Sequence, residues 1–168
     1  EHVLPTGARA PARHAGLEPV AYEIRIANPY RKLLAVTMEV RGYSDAPLEV
    51  AMAAWAPGAY RVVVPARNVM DLRASSSQQK LRVERKDRQR WLVHPPSDRG
   101  PIRIEYSVYL PKSSVVRSAL ATDYASINAF DTLLYVSGNL GTRCTLELAP
   151  YRDWDVATSL ERTDDGAL

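Results

Sequence analysis

The sequence is poor in the side chains on which most catalytic and metal sites depend. It has one cysteine, three histidines and one phenylalanine among 168 residues. A single cysteine excludes an internal disulfide framework. We expect Cys144, in the alternating run Thr142–Leu148, to be a small buried thiol rather than a nucleophile, because no histidine lies near it in the sequence.

The spacing of the histidines argues against a metal site. A zinc hydrolase site typically needs two histidines one helical turn apart and a carboxylate. None of His2, His14 and His94 has a histidine four residues away, and Pro95-Pro96 disfavours a helix after His94. We therefore predict isolated surface or strand-end histidines and no cofactor bound by this chain.

Long apolar runs and a strong charge of one sign are also missing. No segment approaches the roughly 18 apolar residues of a membrane span. The net charge is only +3, and acidic residues interrupt the basic segment 82–91. A field this weak does not indicate nucleic acid or an anionic membrane, and we predict neither as a partner.

Nucleophile and phosphate-binding motifs are absent as well. There is no Gly-x-Ser-x-Gly segment and no glycine-rich phosphate loop. The paired carboxylates Asp153/Asp155 and Asp164/Asp165 are interpreted as solvated loop charges. We predict that this chain is not itself an enzyme.

What the sequence does contain is a repeated alternation of apolar and polar residues. Apolar residues make up 46% of the chain, which also has 12 prolines and 8 glycines. A period of two predicts half-buried strands, and no apolar period of 3.6 is sustained. The predicted fold is all-β, a β-sandwich or curved antiparallel sheets of about nine or ten short strands with little helix. The clearest alternation lies at 20–26, 34–40, 48–54, 69–74, 102–110, 133–136 and 144–148.

Other segments carry more local predictions. Residues 80–94 are predicted to form one hairpin, with Leu81 and Val83 on one arm and Trp91 and Val93 on the other. A short helical turn is expected around 119–121, a hairpin turn at 138–141 and a last strand at 154–160. Residues 1–18 are predicted to be a flexible leader, and 19–168 a single β-domain.

One aromatic-flanked turn stands out from these strands. Pro57-Gly58 has the residues of a tight turn, and Trp55 and Tyr60 flank it. The segment 61–68 then mixes two arginines and an asparagine into a run of valines. This loop is either an aromatic clasp between strands or a surface presented to another molecule.

Taken in order, these motifs resemble the N-terminal domain of the glycyl aminopeptidase family of zinc metallopeptidases, whose members often end in a PDZ domain. The resemblance runs from about Val20 to Leu160. The Trp-x-Pro-Gly-x-Tyr block at 55–60 followed by the Trp-x-Val-Ala-Thr block at 154–158 is its most specific part. The other matching segments are 22–29, 33–39, 66–69, 90–91, 104–109, 116–117 and 134–136.

The resemblance implies a non-catalytic domain whose parent is a zinc aminopeptidase. Zinc and the His-Glu-x-x-His motif are expected in an absent catalytic domain, which would be this chain's partner and its only route to a peptide substrate. A face that meets another domain also favours self-association. Periplasmic or secreted localisation is expected, with the cytoplasm as the alternative. The expected contacts with that domain or its substrate cleft are Trp55, Pro57, Gly58, Tyr60, Arg67, Asn68 and Arg117.

A different class of function remains open at this point. A free-standing β-sandwich that binds carbohydrate or protein would use an exposed aromatic platform. Trp55, Tyr60, Trp91 and Trp154 are the candidate rings.

Overall fold

A computed structural model describes residues 10–55, 62–77, 79–111 and 117–162. It confirms the predicted all-β class with little helix. The strands are β1 (Val20–Asn28), β2 (Leu33–Val40), β3 (Leu48–Met52), β4 (Val69–Ser76), β5 (Gln79–Leu81), β6 (Val83–Arg85), β7 (Arg90–Val93), β8 (Ile102–Tyr109), β9 (Ala119–Leu120), β10 (Ala125–Ser126), β11 (Leu134–Val136) and β12 (Cys144–Ala149). Two 3-10 turns, Pro29–Arg31 and Pro65–Asn68, and one helix, α1 (Ala129–Thr132), complete the described elements.

Two sheets enclose one hydrophobic core. The larger sheet has the order β12-β1-β2-β8-β4-β5, and the smaller has the order β11-β3-β7-β6. Alternate residues of β1, β2 and β8 point inward, as their period of two predicted. A third, two-stranded sheet pairs β9 with β10.

The pairing differs from the predictions in three places. β1 and β12 run parallel at one edge of the larger sheet, because the chain crosses from the smaller sheet to reach it. The turn at 138–141 is therefore a crossover between sheets and not a hairpin turn. Leu81 pairs with β4, whereas Val83 pairs with β7, so only 83–93 forms a hairpin.

Two short segments have a different structure from the one predicted. Residues 119–120 form a strand, and the helical turn lies at Ala129–Thr132, where the Asn128 side chain accepts a hydrogen bond from the Phe130 amide. Residues 154–160 form no strand. Their apolar residues instead line a surface cleft. A local alternation of apolar and polar residues is the same for a cleft lining as for one face of a strand, so it cannot distinguish the two.

The amino-terminal segment departs from the predicted flexible leader in residues 10–18. His14 is buried, and its main chain makes two hydrogen bonds with the Asn139 side chain, of 3.0 and 2.9 Å. The Glu18 amide donates to the Arg41 carbonyl oxygen. This segment is thus attached to the β2–β3 and β11–β12 loops, while residues 1–9 lie outside the described residues.

Candidate functional site

The strand directions bring the described members of the predicted contact set, Trp55, Arg67, Asn68 and Arg117, to one end of the sandwich. β1, β3, β8 and β12 finish at this end, and β2, β4, β7 and β11 begin there. The turn Pro65–Asn68 precedes β4 and contacts β3 and α1. Trp55, Arg67 and Asn68 therefore lie near the helix that follows Arg117.

The backbones on either side of the segment 55–60 lie close together and form a narrow neck. The Val63 amide donates to the Ala54 carbonyl oxygen at 2.8 Å, and the Gln89 side chain donates to the Val63 carbonyl oxygen at 3.0 Å. Trp55 itself is 57% exposed. Pro57, Gly58 and Tyr60 lie outside the described residues, so the neck is described but the predicted turn is not.

The Pro65–Asn68 turn presents polar side chains from an apolar base. Pro65 and Ala66 are buried, whereas Arg67 is exposed and Asn68 is half-buried. Proline at the first position presets the backbone of this turn. Arg67 is thus directed away from a fixed base.

Arg117 lies beside a buried carboxylate. The Ser118 hydroxyl donates to Asp131 Oδ1 at 2.5 Å, and the Ser118 amide donates to Oδ2 at 3.0 Å. Burial raises the pKa of Asp131 above its ordinary value, although these hydrogen bonds and the Arg117 charge oppose the shift. The hydrogen bonds between Ser118 and Asp131 hold the segment that bears Arg117 against α1.

Two buried tyrosines hold α1 and β11 in place from the opposite sheet. The Tyr22 hydroxyl donates to the Leu134 carbonyl oxygen at 2.6 Å. The Tyr106 hydroxyl donates to the Thr132 carbonyl oxygen and accepts from the Leu134 amide, both at 3.0 Å. Burial raises the pKa of both phenols. The strand alternation predicted that both rings face the core, but nothing local in the sequence indicated their polar contacts.

Ion pairs between the buried Glu49 and two partly exposed cations support the neighbouring turn between β6 and β7. Glu49 accepts from Lys86 at 2.5 Å and from Arg90 at 3.3 Å, and Arg90 also contacts Asp87 at 2.6 Å. Burial acts to raise the pKa of Glu49. Hydrogen bonds from Lys86 and Ser137 and the charges of Lys86 and Arg90 outweigh this effect and hold that pKa below its ordinary value.

The exposed large apolar side chains concentrate at this same end, which we call the apolar end. Leu140, in the β11–β12 crossover, lies at the opposite end. The members of the group are Tyr30, Trp55, Val62, Met70 and Tyr109. Two further exposed apolar side chains, Tyr124 and Leu160, line an adjoining cleft and are not counted in this group.

The candidate aromatic platform is not assembled among the described residues. Trp91 is only 5% exposed, and the Arg85 guanidinium covers its ring at 4.0 Å. Trp154 is half-buried and meets Tyr151 edge to face. These two rings therefore do not form an exposed, coplanar row with Trp55.

Cys144, His14 and His94 lie away from the apolar end, and their side chains do not converge on a common site. Cys144 is exposed, contrary to the prediction, because β12 is an edge strand with a partner on one side only. His14 contacts Ser44, and His94 Nε2 lies 2.9 Å from Glu84 Oε1. In the described ranges, no three His, Cys, Asp or Glu side chains converge as a metal site would require.

Within the same described ranges, no helix has the length and apolar character needed to cross a membrane.

Comparison with known proteins supplies an independent line of evidence. The Peptidase M61 N-terminal domain family matches residues 21–167. A crystal structure of an aminopeptidase N family protein from Idiomarina loihiensis is similar, with 26% identity and a TM-score of 0.73. The match covers 78% of this chain and 22% of that one, so the chain spans about a fifth of that relative.

A more distant similarity joins the chain to an M1 zinc metallopeptidase from Deinococcus radiodurans. The identity is 15% and the TM-score 0.42, over 79% of this chain and 32% of the other. A similarity this low adds nothing to the assignment. A comparison with curated protein sequences gave no significant match. On the family match over 21–167 and the Idiomarina structure, this chain belongs to the Peptidase M61 N-terminal domain family.

Proposed function

We propose that this chain is the non-catalytic N-terminal domain of a zinc aminopeptidase of the glycyl aminopeptidase type. Its apolar end packs on the catalytic domain and walls one side of the substrate cleft. The observation that carries this proposal is the concentration of exposed apolar side chains at the end that also holds Trp55, Arg67, Asn68 and Arg117.

The physical basis is the composition of this end. Lone domains rarely keep many large apolar side chains exposed on one surface, and such a surface usually marks a contact. Interfaces between domains combine aromatic and arginine side chains with a polar rim. Trp55 and Arg67 supply these side chains on backbones that the Val63 and Pro65 contacts hold in place.

Zinc is assigned to the catalytic domain and not to this chain. In the described part of the chain, His14 and His94 lie in separate hydrogen-bonded pairs with Ser44 and Glu84. These donors do not converge on one point. The peptide substrate is accordingly expected to reach this domain only through the catalytic domain.

The domain contact can be tested by dividing the parent protein after this domain. The remaining segment of the parent gene is expressed separately and titrated with this chain in a calorimeter. We expect saturable binding that Trp55→Ala weakens by at least about tenfold, as truncating a central aromatic anchor does. Leu140→Ala, at the opposite end, is the matched control and should leave the affinity unchanged. Equal weakening by both variants, or no binding by a folded catalytic segment, would contradict the proposal.

The cleft-wall role has a separate test in the intact parent. Arg67→Ala should raise KM for short glycyl or alanyl peptides more than it lowers kcat, because a wall residue binds substrate without taking part in bond cleavage. Glu18→Gln, at the opposite end, serves as the control. Unchanged KM and kcat would contradict the cleft-wall role but not the contact with the catalytic domain.

Two further predictions accompany this function. The isolated chain should self-associate through the apolar end, and sedimentation velocity should show dimers that Trp55→Ala disperses.

Export to the periplasm or beyond is predicted from the family resemblance, and fractionation of the source cells would test it.

A further inference from the structure

A cleft of about 620 Å3 lies beside the apolar end. Its floor is apolar and consists of Ile24 and Ile26 of β1 and Leu146 and Leu148 of β12. One wall is the segment from β10 to α1, and the other is the irregular segment 150–160. This size falls in the range of about 300–1,000 Å3 that small-molecule pockets occupy.

The charged side chains that line this cleft are all of one sign. Asp123, Asp153 and Asp155 line it and are exposed, and no described lysine, arginine or histidine lines it. None of the three aspartates takes part in an ion pair within the described ranges. The nearby Arg152 guanidinium lies over the Tyr151 ring, 4.9 Å from its centre, and is not part of the lining.

The cleft also leaves apolar surface in water. Tyr124 is 47% and Leu160 52% exposed at its walls. Trp154 is half-buried in the lining and makes an edge-to-face contact with Tyr151, at 5.7 Å between ring centres and an angle of 78°. An apolar group seated here would cover surface that the described chain leaves open.

We propose that this cleft binds a short peptide segment, with an apolar side chain on the floor and one or two cationic groups facing the aspartates. The single sign of the lining selects a cation over an anion. The apolar floor disfavours an entirely polar ligand. The inference concerns the surface of this chain alone and does not depend on the proposed role in a zinc peptidase.

The test is a titration of the isotope-labelled 168-residue chain, followed by nuclear magnetic resonance. The probe is acetyl-Leu-Arg-Leu-Lys-amide. We expect saturable shifts of the Trp154 indole N–H and of the amides at 123–125 and 153–155. The expected Kd is about 0.1 mM, a weak affinity suited to an open site. Raising the salt concentration from about 0.05 to 0.5 M should weaken binding severalfold, because exposed charges are screened.

Two matched peptides separate the contributions of charge and apolar contact. Acetyl-Leu-Glu-Leu-Glu-amide should bind at least about tenfold more weakly, since it reverses the charge. Acetyl-Ser-Arg-Ser-Lys-amide should also bind at least about tenfold more weakly, since it cannot use the apolar floor. Equal affinity of all three peptides would overturn the proposal.

Variants of the chain locate the site. The double variant Asp153→Asn, Asp155→Asn should weaken binding by about five- to tenfold by removing two charges. Glu18→Gln, an exposed carboxylate at the opposite end, should leave the affinity unchanged. Both variants change exposed side chains, and their amide spectra report whether the fold is intact. The inference would be overturned if the shifts were confined to other surfaces or did not saturate. It would also be overturned if a second copy of the chain occupied the cleft in the absence of peptide.

Discussion

His14 joins the amino-terminal segment to two loops although nothing in its sequence neighbourhood predicts this. The Ser44 amide donates to Nδ1 at 3.1 Å, so Nδ1 acts as an acceptor. Nε2 is buried and has no hydrogen-bond partner among the described residues. His14 is 1% exposed, and burial lowers its pKa below the ordinary value of 6.5.

This environment makes stability depend on pH. Because the pKa of His14 is lower in the folded chain, the unfolded chain takes up the proton more readily below pH of about 6.5. The free energy of unfolding should therefore fall as the pH drops from about 6.5 towards 5, before the carboxylates Glu49 and Asp87, whose pKa values are also lowered, begin to titrate. Urea unfolding at a series of pH values measures this slope.

The control is His14→Gln, which cannot take up a proton in this range. Its unfolding free energy should be lower at neutral pH and should not fall between about pH 6.5 and 5, because the remaining buried group with a raised pKa, Asp131, contributes a change of the opposite sign. A slope equal to that of the original chain would show that another group titrates.

Tyr106 gives a second prediction at the residue scale. Tyr106→Phe keeps the ring but leaves the buried Leu134 amide and Thr132 carbonyl oxygen without the hydroxyl. We expect a loss of about 1–3 kcal/mol in unfolding free energy, the cost of unsatisfied buried polar groups. Tyr109→Phe, which removes an exposed hydroxyl from the same strand, should cost less than about 0.5 kcal/mol. Similar losses in denaturant melts of the two variants would refute the role of this contact.

Among the elements, the edge strand β12 shows how pairing decides exposure. The alternation at 144–148 predicted a half-buried strand, and a strand is present. Its position at the edge of the sheet leaves Cys144 exposed, although the opposite residue Val20 is buried. An alternating pattern predicts which face of a strand is apolar but not how many neighbours the strand has.

The loop between β2 and β3 depends on one glycine. Gly42 has φ +69°, and a Cβ there would lie 2.0 Å from the Gly16 carbonyl oxygen. Gly42→Ala should therefore lower the unfolding free energy by about 1–3 kcal/mol and loosen residues 14–18, as hydrogen exchange of their amides would show.

Gly141→Ala is the matched control for that prediction, since a Cβ there meets nothing within 4 Å and Gly141 does not have a positive φ. We expect a change within about 0.5 kcal/mol. A larger loss for Gly141→Ala than for Gly42→Ala would contradict the close approach of the two backbones.

For the whole molecule, the two sheets share one core and should unfold together. One cluster of buried apolar side chains includes Ile24 and Val36 of the larger sheet and Val50 and Trp91 of the smaller one. The tyrosine contacts with Thr132 and Leu134 also cross between the sheets. We predict a single transition, with coincident urea curves from circular dichroism and tryptophan fluorescence. Separate midpoints would mean that the sheets are independent units.

The sequence by itself determined the class of the fold and most strand positions, because alternation along β1, β2 and β8 is a local consequence of burying one face. It also supplied the family resemblance, which the match over 21–167 confirms in its coarser form. Only the tertiary structure decided that β12 runs parallel to β1, that Leu81 and Val83 enter different sheets, and that 154–160 lines a cleft instead of forming a strand. Those outcomes depend on which distant backbones meet and on the burial and hydrogen bonds that result. A local sequence pattern does not specify these long-range partners.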